Sequence, residues 1–327
     1  MQALHRLAGS HIEFMSADVR FTTFLHLLPN LRRVELQTYH VPRDAISNIL
    51  DLGSLVALTS LHTLSLQGGG FVLEQLDSLT QLKSLSLAMK LLSPIIGPLC
   101  QLPCSLTSLN TASTGGHCRS RGAMSLLLQF QGLLQSLTLD VPDMRDLTTG
   151  NPAKLSAFAC LQQLTHLHFA IGCDELNSGE CSELNLPKLQ SLHAEFEYSP
   201  NGPYPQWQLR GCPELHRMTL VCYDHDLYGD DGNGSRGKVD LRGILGIQVS
   251  SLHLALHIPE DARFVAAFSA WELETVSIES TSPSTSKDWP NSQTVQDVLG
   301  CLACHVPMRK VMVNYEWVCD RIAKQRT

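Results

Sequence analysis

The chain has 327 residues, a formal net charge of −7, 43% apolar residues and 17% charged residues. That balance excludes an intrinsically disordered chain. The mild acidity argues against general nucleic-acid binding, which needs a surplus of Lys and Arg to neutralise phosphates. No apolar run approaches the roughly 18 residues of a membrane span. The nearest, Leu91 to Leu99, is interrupted by Pro94, Gly97 and Pro98.

About 55 leucines carry the core, while aromatic residues make up only 6%. In chain order the leucines fall into one recurring pattern, apolar-x-x-apolar-x-apolar. It reads Leu31, Val34, Leu36; Leu61, Leu64, Leu66; Leu82, Leu85, Leu87; then Leu106, Leu109. The middle copies are Leu134, Leu137, Leu139; Leu164, Leu167, Phe169; and Leu189, Leu192, with Ala194 at the third site. The later copies are Leu215, Met218, Leu220; Val249, Leu252, Leu254; Leu273, Val276, Ile278; and Met308, Val311, Val313. Ile12 and Phe14 read as an earlier copy. Steps between copies run from 21 to 35 residues.

Period-two alternation in each short segment sends its last two framework residues inward and the intervening residues outward. One unit cannot bury its own leucines. Units stacked side by side can, as parallel strands about 4.8 Å apart. The residues between copies must then return as helices or irregular turns. Ala45 to Leu58 and Ala262 to Ala270 read as helical returns, and Leu92 to Gly97 as an irregular one.

The segments Leu-Thr-Ser-Leu-His-Thr-Leu-Ser-Leu (58–66) and Leu-Thr-Gln-Leu-Lys-Ser-Leu-Ser-Leu (79–87) resemble the leucine-rich repeat signature. The resemblance covers essentially the whole chain. It implies a single α/β domain over 1–327, a curved right-handed horseshoe of 11 to 12 irregular repeats. A parallel sheet would line its concave face, with irregular helices and loops on the convex face. The turn position usually taken by Asn or Cys in that family is here Gly69, Lys90, Pro142, Gly172 or Tyr223, so an uneven solenoid without an asparagine ladder is expected. Gly211 to Cys222, with Cys212 three residues before Leu215, looks like the cysteine-containing repeat of F-box proteins. No F-box is recognisable in the sequence before residue 31.

Three insertions are read as solvated loops: 111–123, Gly- and Ser-rich; 223–240, acidic then Gly-rich; and 280–294, with a candidate phosphosite at Ser282 before Pro283. Within the second, Gly232 to Val239 nearly fits a phosphate loop. Val239 lacks the hydroxyl such a loop offers magnesium, and no strand leads directly into it. Asp224, Asp226, Asp230 and Asp231 lack the closing Glu of a calcium loop. Cys301-Leu302-Ala303-Cys304-His305 matches a haem-attachment pattern without the export that haem attachment requires; buried thiols of a return helix are the better reading.

His166, His168 and His193 fall at outward positions of two adjacent strands, with Glu195 nearby. They read as polar residues on a wet sheet face, as a pH-sensitive patch, or as a metal site. No nucleophile is arranged with a base and an orienting acid. The expectation is therefore a non-catalytic interaction scaffold or substrate-recognition module, without cofactor, nucleic-acid, membrane or small-molecule ligand. Its protein partner would meet the concave face through Asp140, His166, His168, His193, Glu195, Glu197, Arg217, Thr219, His253 and Glu279. The alternative is a metal- or nucleotide-dependent protein using the three histidines or the 232–238 loop. With 11 scattered cysteines and no visible secretory signal, a cytoplasmic or nuclear location is expected. Met1 to Ser16 reads as a unit already under way, so a longer ancestral N-terminus is expected too.

Overall fold

The computed structural model describes residues 12–18, 25, 28, 30–37, 50–68, 71–72, 76–89, 103, 105–111, 133–140, 155–172, 182–198, 207–209, 211–224, 249–256, 274–280, 310–313 and 316–317. The helical returns expected at 262–270 and 92–97, the phosphate-loop near-miss, Ser282 and the Cys301–His305 motif lie outside these residues. So do nearly all of the three insertions. The chain forms two compact units, Met1–Ala153 with Cys160–Leu164, and Lys154–Ala159 with Thr165–Thr327.

In the first unit the strands are β1 (Phe14–Asp18), β2 (Arg33–Gln37), β3 (Leu50–Asp51), β4 (Thr63–Gly68), β5 (Phe71–Val72), β6 (Ser84–Met89), β7 (Ser108–Asn110) and β8 (Ser136–Asp140). Strands β1, β2, β4, β6, β7 and β8 pair in that order, all parallel. The register keeps the leucine pattern aligned. Val34, Leu64, Leu85, Leu109 and Leu137 form one column, and Leu36, Leu66 and Leu87 a second. Each is at most 1% exposed, while the residues between them are half-buried. Only this register puts every leucine on one side, since a one-residue slip would turn them all to water.

The second unit repeats the plan with β9 (His166–Gly172), β10 (Ser182–Leu184), β11 (Ser191–Tyr198), β12 (Trp207–Leu209), β13 (Arg217–Asp224), β14 (Ser251–Leu256), β15 (Thr275–Ser280), β16 (Lys310–Val313) and β17 (Glu316–Trp317). Strands β9, β11, β13, β14, β15 and β16 are parallel neighbours in sequence order. β17 turns back antiparallel onto β16, so that Trp317 faces Met312. Each unit thus has the strand arrangement of a leucine-rich-repeat solenoid. Shorter parallel pairs, β3 with β5 and β10 with β12, lie in the returns, where alternation gave no sign of them.

Backbone groups at the start of each strand are satisfied by a ladder of shared carbonyls. The carbonyl of Arg32 accepts the N–H groups of both His62 and Thr63, and His62 does the same for Lys83 and Ser84. Lys83, Thr107, Thr165, Gln190, His216 and Ser250 each continue the pattern. In the described strands these shared carbonyls satisfy strand-start N–H groups without an asparagine ladder. At Gly172 and Tyr223, where the family pattern turns, β9 and β13 are still extended.

The returns correct one expectation. The helical return read over Ala45–Leu58 is a 3-10 helix at Leu52–Ala57, preceded by β3, with 45–49 outside the described residues. Further 3-10 turns cover Leu76–Ser78 and Leu155–Cys160. A 3-10 helix brings every third residue to the same side. Leu55, Leu58 and Leu61, Leu76, Leu79 and Leu82, and Phe158, Leu161 and Leu164 use that spacing to reach the core. Their N–H groups bond three residues back, as in Leu58 to Leu55 at 2.8 Å and Leu61 to Leu58 at 3.0 Å.

The N-terminal copy is also corrected. Met15 pairs with Val34 and Ala17 with Leu36, so these positions share the register of the framework residues. Phe14 pairs with Arg33 and is 51% exposed, one residue out of the phase expected from Ile12 and Phe14.

Two local features carry expected outcomes. Thr111 takes a framework site that elsewhere holds Leu. It is buried, and both its N–H (2.8 Å) and its hydroxyl (3.3 Å) donate to the carbonyl of Thr138. Because that carbonyl keeps the N–H bond, Thr111→Val should change unfolding free energy by less than about 1 kcal/mol in a denaturant titration. Gly211 has φ +72°, and a Cβ there would collide with the side-chain amide of Asn185. Gly211→Ala should therefore cost about 1–2 kcal/mol in the same measurement.

Candidate functional site

The outward residues of the second unit form rungs across the strands. His166, Ser191, Arg217, Ser251, Thr275 and Lys310 share one rung. His168, His193, Thr219, His253 and Ser277 share the next. Ala170, Glu195, Val221, Ala255 and Glu279 share the third, and Gly172, Glu197 and Tyr223 the fourth. The register therefore brings nine of the ten predicted contact residues onto one set of outward rungs. Asp140 ends β8 in the first unit. The side chains of Asp140, Glu197 and Glu279 lie outside the described residues.

His168 and His193 are direct cross-strand neighbours, and their rings stack with centroids 4.0 Å apart and planes 29° apart. Glu195 follows His193 by two residues, so it emerges on the same side of β11 and lies diagonally across from His168. His168 Nε2 donates to Glu195 Oε1 at 2.9 Å. The carboxylate can only accept, so the proton must sit on that nitrogen. His193 Nε2 is 3.0 Å from the same oxygen, yet off the line of a hydrogen bond, which leaves this buried nitrogen without an aligned partner. Val221, beside Glu195, is buried although it points outward.

The hydrogen bond from His168, then the His193 ring nitrogen 3.0 Å away, hold the Glu195 carboxyl at about 2, below its ordinary 4.5, against the opposing pull of burial. A depressed folded-state pKa contributes stability that is present above pH 4.5 and lost as pH falls toward 2. Its worth, discounted for partial exposure, is about 1 kcal/mol. The stability difference between the native protein and Glu195→Gln should shrink by that amount across this window in acid-dependent urea melts.

Sequence reasoning missed a feature of the first unit, whose outward face reads as small and hydroxylic. The Arg33 guanidinium lies over the Phe14 ring at 5.2 Å and pairs with Glu35 at 2.6 Å. Aromatic and Arg side chains are the usual anchors of protein interfaces. The signal was the phase of Phe14, visible once Met15 and Ala17 are aligned with Val34 and Leu36.

The sequence matches no family model and no curated protein. Among solved structures it is similar to the functional domain of InlJ from Listeria monocytogenes, described as including a cysteine ladder. Identity is 13%, the TM-score is 0.29, and the alignment covers 78% of this chain and 65% of that one. In the present chain, the column three residues before the first framework leucine is Leu28, Leu58, Leu79, Pro103, Leu161, Leu186 and Cys212. It holds one cysteine among the described residues. The Cys212 thiol is buried against the Leu184 carbonyl at 3.7 Å, and burial raises its pKa.

Proposed function

We propose that the protein is a non-catalytic scaffold that binds a protein partner through the outward face of its parallel strands. The observation that carries this reading is the strict alternation. Among the described residues from Val34 to Leu252, the framework side chains of the strands are buried in the core. The residues between them project as regular rungs, most of them half-buried or exposed, with Val221 and Ala88 the buried ones among the described residues. An open sheet face of this kind suits a macromolecule better than a small molecule, which needs a concave pocket.

The narrower reading, an F-box-like substrate receptor, draws its support from the Gly211–Cys222 resemblance, and a cytoplasmic or nuclear location from the scattered cysteines. In the second unit the contact set would be His166, His168, His193, Glu195, Arg217, Thr219 and His253, with Glu197 and Glu279 from the sequence reading; Asp140 would contribute from the first unit by itself.

A photo-crosslinking amino acid placed at Thr138 or Thr219 tests the outward face, and the same residue at Gln81 or Pro213 tests the exposed turns that precede the strands. In cells expressing the full chain, discrete protein adducts are expected from the strand positions and not from the turns. Equal adduct formation from both sets, or adducts from the turns alone, would refute the reading.

A further inference from the structure

We propose that His168, His193 and Glu195 form a binding site for one divalent transition-metal ion, zinc by ligand class, on the outward face of the second unit. One donor atom from each side chain converges, and all three lie within 4.8 Å of one another. Glu195 Oε1 is 2.9 Å from His168 Nε2 and 3.0 Å from His193 Nε2. An ion bound to nitrogen and oxygen at about 2.0–2.2 Å holds neighbouring ligands about 3 Å apart or slightly more. The two spacings from Glu195 to the histidine nitrogens therefore need an opening of only a few tenths of an ångström.

The donors are also held in place. His168 and His193 stand on β9 and β11, whose register is set by seven paired residues. A site on rigid strands keeps its geometry better than one on loops. The buried His193 Nε2 lacks an aligned hydrogen-bond partner, and a metal ion would satisfy it. It would replace the proton that His168 now donates to Glu195, and that proton would leave to solvent. Two imidazoles and one carboxylate favour zinc and its transition-metal neighbours over magnesium or calcium, which prefer all-oxygen shells. The three side chains are 36%, 36% and 24% exposed, so the cluster lies partly open to water. Three protein ligands with an open position is the pattern of reactive or exchangeable zinc, while structural zinc is closed.

The test is equilibrium dialysis of the chelator-stripped full chain against zinc alone, with bound metal measured by atomic emission. The cysteines can bind zinc elsewhere, so the readout is the difference between the native chain and His168→Gln/His193→Gln. The native chain should bind one equivalent more than the double variant. Glu195→Gln should weaken that equivalent at least about tenfold. His166→Gln, on the same strand and exposed outside the cluster, should leave it unchanged. Circular dichroism confirms that each variant is folded. Equal zinc content in the native chain and the folded double variant would overturn the proposal, as would an equal loss with His166→Gln.

Discussion

Phe169→Ala is expected to cost about 3–5 kcal/mol of unfolding free energy, the range for truncating a fully buried aromatic residue. Phe169 is 0% exposed, and its ring packs against Phe158 with centroids 6.1 Å apart. Its register partner on β11 is Ala194, a small residue at a site that most copies fill with Leu, Phe, Ile or Val. Phe169 and Ala194 are a large residue beside a small one, and the ring takes room that a leucine at 194 would fill. Ala194→Leu alone should therefore overpack and cost about 1–3 kcal/mol. The double variant Phe169→Leu/Ala194→Leu restores the usual pair and should be more stable than the sum of its parts predicts. A double-mutant cycle in urea measures the coupling. Strict additivity would show that the two residues do not share space.

Ser191→Pro should cost at least about 3 kcal/mol, or abolish folding of the second unit altogether. The side chain contributes little, so Ser191→Ala should change stability by less than about 0.5 kcal/mol. The difference lies in the backbone. Ser191 N–H donates to the Thr165 carbonyl at 3.0 Å, alongside Gln190 N–H at 2.8 Å. Proline removes that donor in a strand flanked on both sides by β9 and β13, where no water can replace it. Thermal unfolding with calorimetry compares the three proteins. A proline variant as stable as the alanine variant would show that the shared-carbonyl ladder contributes nothing.

The strand pattern was legible in the sequence because the same residues satisfy two constraints at once. Leu64 and Leu66 must alternate with Ser65 to face one way, and they must also match Leu85 and Leu87 across the ladder. Alternation read from one copy was checked by the next. The returns lacked that redundancy. The three-residue spacing of Leu55, Leu58 and Leu61 was present, but a run of apolar residues read over 45–58 looks helical until the period is counted as 3.0 instead of 3.6. Phe14 was misphased for a similar reason: Ile12 and Phe14 fit the last two framework sites by spacing, and only the pairing of Met15 with Val34 moves Ile12 to the first site.

The site was half legible. Outward parity and strand adjacency placed His168 beside His193 before any coordinates. The diagonal reach of Glu195 to His168, the ring stacking at 4.0 Å and the misaligned His193 nitrogen depend on side-chain torsions, which no periodicity encodes. The pairing of Arg33 with Phe14 became visible only once the first strand was in phase.

The central claim is that successive residues of each strand point alternately to a packed wall and a working wall. Site-resolved thiol labelling along β11 measures it directly. Single cysteines at 191, 192, 193, 194 and 195 are alkylated in the native protein, and modification at each site is read by mass spectrometry. Buried thiols react only through local opening. Cysteines at 191, 193 and 195 should therefore react at least about tenfold faster than those at 192 and 194. Uniform rates, or fast reaction at 192 and 194, would mean that the register of the ladder is wrong, and the outward face with it.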